Sequence, residues 1–295
     1  MKRYAPMYIM LLGALTYYVL FHYLPIYGIS IAFKDFRIVD GILKSPWVGL
    51  KNFREVMFET PMFWTAFRNT VIISTLKLVV NFPAPIILAL LLNEIKNLRF
   101  KKITQTISYL PHFISWVVLA GLFRSILSPS SGLVNILIKM VGGDPIFFFG
   151  SNQWFRAVLV FTSTYKGVGW STIIYLAALS NVNIELYEAA AIDGAGRLRQ
   201  TWMVTLPAIS NIIVLQFILS VRGIVGDDFQ QIFNMYTPVV YSTGDVISTY
   251  NYRLGLENMR YSFSSAVGLF QNVIALALVT MTNWVVKNFS EYGLW

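Results

Sequence analysis

The fold class this sequence predicts is an all-α integral membrane protein with six transmembrane helices, and three observations predict it. Of the 295 residues, 56% are hydrophobic and only 13% are charged, against about 25% charged in soluble domains. The apolar residues gather into runs of roughly 20, enough to cross a bilayer core of about 30 Å at 1.5 Å per residue. No run shows the alternation, over roughly ten residues, of a barrel strand. Helices are then the way to satisfy the backbone inside lipid.

The spans follow in order. The first covers about 7–33 and is interrupted by His22 and Pro25. Lys2 and Arg3 ahead of it suggest a signal peptide. However, the run continues past Ala32 with no A-x-A-like site after a short core, so an uncleaved first span is expected. The second, about 65–92, contains "NFPAP", whose prolines should kink it. The others lie at about 103–127, 154–180, 204–225 and 264–286. With no internal repeat, low-complexity tract or long linker, residues 1–295 are expected to form a single domain.

Six spans place both termini on one side. That side holds Lys2, Arg3, Lys96, Arg99, Lys101, Lys102, Arg197, Arg199 and Lys287. The opposite side holds Lys34, Arg37, Lys44, Lys51, Arg54, Lys139, Arg156, Arg253 and Arg260. The counts are equal, but the first set sits in much shorter loops, notably "NEIKNLRFKK" at 93–102. Density therefore predicts cytoplasmic N- and C-termini. The formal charge of +9 is accounted for in the same way, without nucleic acid.

Several chemistries are excluded. There is no cysteine, and His22 and His112 are the only histidines, so thiolate and histidine-rich metal sites are not expected. No G-x-x-x-x-G-K-[ST] occurs, and "GAGRLRQT" lacks the lysine and the preceding strand of a P-loop. Asp227 and Asp228 are adjacent in sequence rather than opposed, unlike the acid/base pair of a glycosidase.

The stretch "EAAAIDGAGRLRQTWMVTLP" (188–207) stands apart from the greasy segments around it. "NIELYEAAAI" contains good helix formers, and Asp193-Gly194 reads as a helix stop because glycine accepts the left-handed terminal conformation. Gly196 adds a second flexible point before "RLRQTWMV" restarts a helix, and Pro207 fits the first turn of the fifth span. The expected object is a helix, a tight turn and a second helix along the cytoplasmic surface. It displays Glu188, Asp193, Arg197 and Arg199, either as a plain amphipathic segment or as a docking element.

That pattern resembles the EAA loop of the permeases of binding-protein-dependent ABC importers. Glu188, Ala189, Ala190, Asp193, Gly194, Ala195, Leu206 and Pro207 fall on the family's positions, while Thr201, beside Trp202, stands where the family usually has Phe. "YLPIYGISIAFKDF" (23–36), "SPWVGLKNF" (45–53), "YLPHFISWVV" (109–118) and the closing "EYGLW" resemble the multiple-sugar and oligosaccharide branch. The resemblance implies a type I ABC importer permease fold, with 183–203 as a cytoplasmic coupling loop. It implies an ATPase-coupling role for Glu188, Ala189, Ala190, Asp193, Gly194, Ala195, Arg197 and Trp202. It also implies a second permease subunit, two ATPase subunits, an extracellular solute-binding protein and a carbohydrate substrate. ATP and Mg would be bound by the ATPase subunits, with no cofactor in this chain. The implied location is the bacterial cytoplasmic (inner) membrane.

Charges inside spans are costly and point to function. They are Arg68, Lys77, Arg124, Lys166 and Arg222, with no acid in the same spans. Arg68, Arg124 and Arg222 lie near outer ends, where long side chains snorkel. Lys77 and Lys166 are deeper. Their uniform sign suits a substrate bearing carboxylates, such as a uronate oligosaccharide. "RGIVGDDFQQIF" (222–233) adds Asp227, Asp228, Gln230 and Gln231, and Tyr236, Tyr241, Tyr250 and Tyr252 follow. These groups suit either a sugar site or an interfacial aromatic belt. Gln271 and Asn272 face either the path or another helix. The candidate path residues are therefore Lys77, Arg124, Lys166, Arg222, Asp227, Asp228, Gln230, Tyr236, Gln271 and Asn272. The alternative function is an ion-coupled secondary sugar transporter, which should show paired repeats and an intramembrane acid.

Overall fold

The computed structural model describes residues 5–226 and 228–289. Lys2, Arg3, Asp227 and the closing "EYGLW" lie outside the described residues. Helices dominate, and the extended pairing among the described residues is one isolated bridge, Lys34 to Trp47. The principal helices are α1 (Ala5–Tyr18), α2 (Pro61–Asn81), α3 (Pro83–Glu94), α4 (Leu98–Tyr109), α5 (Trp116–Ile126), α6 (Leu133–Met140) and α7 (Phe155–Leu179). They are followed by α8 (Ile184–Ile192), α9 (Arg197–Gln200), α10 (Ser210–Val221), α11 (Phe229–Met235) and α12 (Tyr261–Phe289).

Among the described residues, three helical runs are long and apolar enough to cross a membrane: Met10–Phe33, Pro61–Glu94 and Tyr261–Asn288. Counting each bent pair as one span raises the number to five. The first run changes character where His22 and Pro25 interrupt it, passing from α1 through a π turn (Val19–Tyr23) into a 3-10 stretch (Leu24–Phe33). The second continues through "NFPAP" as one 34-residue run. Two expected spans are broken. Leu98–Phe113 meets Trp116–Ile126 at 105°, and Arg197–Ala208 meets Ser210–Ile224 at 67°. Each break lies just after a proline, Pro111 or Pro207, which removes an N–H and crowds the preceding turn.

The remaining expected span is α7, 25 residues long, or about 37 Å at 1.5 Å per residue. Its polar residues keep it out of the apolar set. Two of them are satisfied by the helix itself: the Thr162 hydroxyl donates to the Val158 carbonyl (2.8 Å) and the Thr172 hydroxyl to the Val168 carbonyl (2.7 Å). Thr162 and Thr172 are both fully buried.

The chain divides into two compact units. In the first, Met1–Trp64 with Tyr250–Val273, the segments 23–36 and 45–53 fold onto each other. Asp35 N–H donates to the Pro46 carbonyl and Val48 N–H to the Phe33 carbonyl, both at 2.9 Å. Asn52 is buried and donates to the carbonyls of Ala32 (2.8 Å) and Lys34 (3.0 Å). Phe33 stacks on Trp47. Arg260 pairs with Glu55 and lies over the Phe263 ring.

In the second unit, Thr65–Thr249 with Ile274–Trp295, α7 is the hub. One buried cluster joins Trp116, Leu119 and Phe123 of α5 to Phe155, Val158 and Leu159 of α7 and to Ile232 and Met235 of α11. A second joins Ala89 of α3 to Tyr175 and Leu179 of α7 and to Ile209. Buried Asn69 accepts from Arg156 (2.9 Å) and donates to the carbonyls of Ser242 and Asp245, both at 3.1 Å. This pins the loop after α11 onto α2 and α7. It also gives Arg156, counted above with the outer-side basic residues, an anchoring role.

Helices in lipid associate through close packing of small residues rather than through the hydrophobic effect. Gly169 shows this directly, because a Cβ there would lie 1.9 Å from the Ser108 carbonyl oxygen of α4. Gly167, two residues earlier, has open space. Gly169→Ala should therefore lower stability by about 1–3 kcal/mol, the range for overpacking, while Gly167→Ala should not. Thermal unfolding of the two variants in detergent checks this, and equal melting would remove the packing role.

Candidate functional site

The exposed helix–turn–helix at 183–208 is built from local rules. Asn183 caps α8, its side chain accepting from Glu185 N–H at 3.0 Å. At the other end Ala195 N–H reaches the Ala190 carbonyl (2.9 Å) and Gly194 N–H the Ala191 carbonyl (3.0 Å). This pair of bonds is a Schellman motif, and its left-handed residue is Gly194 at φ 74°. Gly196 then caps α9, whose helical run continues through a π turn, Thr201–Thr205, to Ala208.

All eight sequence-predicted coupling residues are brought together on this element. Glu188, Ala189, Asp193, Gly194, Arg197 and Trp202 are exposed, and Ala190 and Ala195 are half-buried. Large apolar side chains stand out beside them: Ile192 is 87% exposed, Leu198 80% and Trp202 71%. Such an apolar patch between acids and arginines is what a protein partner covers.

Two polar ties brace the element, one within it and one to α3, and sequence reasoning found neither. The Tyr187 and Thr205 hydroxyls are 3.0 Å apart. Arg197 Nη1 donates to Glu94 Oε2 at 2.5 Å, from the loop segment to the end of α3. Both ties border a groove of about 550 Å³.

The candidate path residues separate into groups. Lys77 and Asp228 line a cavity of about 320 Å³ together with Ser74, Asn81, Ser163, Ser171 and Ser220. Lys77 also donates to Gln231, which is fully buried and passes the contact on to the Leu159 carbonyl and the Thr162 hydroxyl, both at 2.7 Å. Asp228 has a second, structural role, capping α11 by accepting from Gln231 N–H at 3.3 Å.

Lys166, alike in sequence, is placed differently. Its ammonium donates to the carbonyls of His112 (2.8 Å), Pro111 (3.4 Å) and Ile114 at the 105° break, and it lies 5.4 Å from the Trp116 ring centre. One turn on, Trp170 stacks on His112. Arg124 donates to the Asn234 carbonyl at 2.8 Å. Arg222 and Gln230 are exposed, and Tyr236 packs on the core beside Phe233 and Tyr241. Gln271 and Asn272 belong to the first unit, half-buried and exposed respectively.

A helical chain with membrane-length apolar helices, a polar cavity beside its central helix and an exposed helix–turn–helix at 183–208 is of the class of a membrane transport permease. Residues 81–291 match the family model described as "Binding-protein-dependent transport system inner membrane component", and the chain belongs to that family. It is 42% identical to the polygalacturonan/rhamnogalacturonan transport system permease protein YteP of Bacillus subtilis (strain 168), over 98% of this chain and 90% of that protein. It is 40% identical to protein LplB of the same organism, over 100% of this chain and 92% of that protein. A crystal structure of a bacterial alginate ABC transporter, in complex with its alginate pentasaccharide-bound periplasmic protein, contains a chain that is 38% identical. That chain superposes with a TM-score of 0.91, with 99% of this chain and 98% of the other covered. The type I importer permease fold expected from the EAA pattern is therefore the fold of this protein.

Proposed function

We propose that this chain is the transmembrane permease subunit of an ATP-driven carbohydrate importer in the bacterial cytoplasmic (inner) membrane. It forms half of the translocation path. Residues 188–202 dock onto a separate ATPase subunit, whose ATP-dependent closure pulls on the loop and rocks the spans. The observation that carries the reading is the rigid, Gly194-terminated helix–turn–helix with Ile192, Leu198 and Trp202 bare on its surface.

The chain works with a second permease subunit, two ATPase subunits that hold ATP and Mg, and an extracellular solute-binding protein. The absence of a P-loop motif from the sequence supports energy supply from outside this chain. Dense basic loops support cytoplasmic termini. The solute is an oligosaccharide bearing carboxylates. The intramembrane lysine in the serine-lined cavity supports this, as do the polygalacturonan and alginate systems in which similar chains occur.

A mild-detergent pull-down of the tagged chain from native membranes tests the assembly, with Gly194→Pro alongside. Proline cannot adopt φ 74° and also removes the Gly194 N–H bond. The expected result is an ATPase and a second multispan protein with the wild type, and no ATPase with the variant. A chain that emerges alone and moves solute in vesicles without ATP would instead be an ion-driven transporter.

A further inference from the structure

We propose that Glu94 and Arg197 form a strut that carries the movement of the coupling segment into the second membrane span. The inference rests on the importer reading above and concerns positioning residues within it.

The two charges sit where their own helices disfavour them. Glu94 is the last residue of α3, beside the partial negative charge of that helix's free carbonyls. Arg197 is the first residue of the run Arg197–Ala208, at the partial positive end. Neither placement helps its own helix. Their mutual contact at 2.5 Å offsets both. The side chains are 49% and 64% exposed, and an ion pair open to solvent adds little to stability. Stability therefore does not explain the pair.

The surroundings give it a mechanical role. A groove of about 550 Å³, lined by Glu94, Tyr187, Gly196, Arg197 and Gln200, separates α3 from the coupling segment at this level. The ion pair spans that gap. Above it, α3 packs along α7 and continues directly into α2, which carries Lys77 and Asn81 at the polar cavity. A displacement of the coupling segment thus has a direct charged link to the helix that lines the path.

The test uses the full complex with its binding protein in proteoliposomes, with uptake and ATP hydrolysis read in the same vesicles. Labelled oligogalacturonate and labelled alginate pentasaccharide serve as probes. Glu94→Gln, Arg197→Gln and the double variant are compared with the wild type. Glu94→Gln should keep the ATPase bound and the melting temperature unchanged, yet move about fivefold less solute per ATP, the low end of couplings between linked sites. The double variant should be no worse than the weaker single, because each residue acts through the other. A wild-type ratio in Glu94→Gln overturns the strut. So does a double variant whose loss is the product of the singles. A wild-type complex without ATP-driven uptake of either probe overturns the importer reading, and the strut with it.

Discussion

Replacing Lys166 with Leu is expected to leave little folded protein in the membrane. The broken third span ends one helix at Phe113 and starts the next at Trp116, turning by 105° within the span. A break inside an apolar stretch frees carbonyl groups that lipid cannot satisfy. Lys166 reaches those of Pro111, His112 and Ile114 from the facing helix α7. Its positive charge also meets the negative end of the helix that stops there. The Pro111 carbonyl keeps a bond from Ile114 N–H at 3.3 Å, but leucine would take the donor from those of His112 and Ile114, at about 1–3 kcal/mol for each buried unsatisfied group. Two such losses are a large part of the stability of an ordinary domain, about 5–15 kcal/mol. Lys166→Gln, which retains two donors, should fall between leucine and the wild type. Yield and thermal unfolding in detergent read the order directly. Wild-type melting in Lys166→Leu would show that the carbonyls have other partners.

The contrast with Lys77 marks where sequence reasoning stops. In the sequence both are lysines inside apolar runs, and both suited a path for acidic sugar. What separates them is the partner presented by distant segments: Gln231 and a row of serines for one, the carbonyls at 111–114 for the other. The helix stop at Gly194 was legible because a left-handed residue has a local signature. The breaks after Pro111 and Pro207 were less so, because hydropathy records how apolar a segment is and not the direction of its axis. Pro207 was readable as a first-turn proline, and its helix does begin nearby, but the spanning helix starts only at Ser210. The Glu94–Arg197 tie joins residues 103 apart in sequence. Its one local trace is a lone acid in the basic stretch "NEIKNLRFKK".

Lys77→Gln should keep the fold and lose selectivity. Glutamine retains a donor for the Gln231 carbonyl oxygen, so the link from α2 to α11 survives. What disappears is the positive charge lining the cavity among Ser74, Asn81, Ser163, Ser171 and Ser220. Hydroxyl and amide groups there meet sugar hydroxyls of any kind, whereas the ammonium favours a carboxylate over its neutral ester, against the opposing charge of Asp228 on the same cavity. Charge-assisted hydrogen bonds contribute about 1.5–3 kcal/mol, and each 1.4 kcal/mol is about a tenfold change in preference. Uptake of labelled oligogalacturonate relative to its methyl-esterified form should therefore fall by about tenfold against the wild-type ratio. Because the same binding protein serves both forms in both vesicle preparations, its own preference cancels in that comparison. Lys77→Arg, which keeps the charge, should hold the ratio nearer to wild type. Equal loss for both sugars in Lys77→Gln would make Lys77 a structural link between α2 and α11, and the carboxylate would have to be read elsewhere in the path or by the binding protein alone.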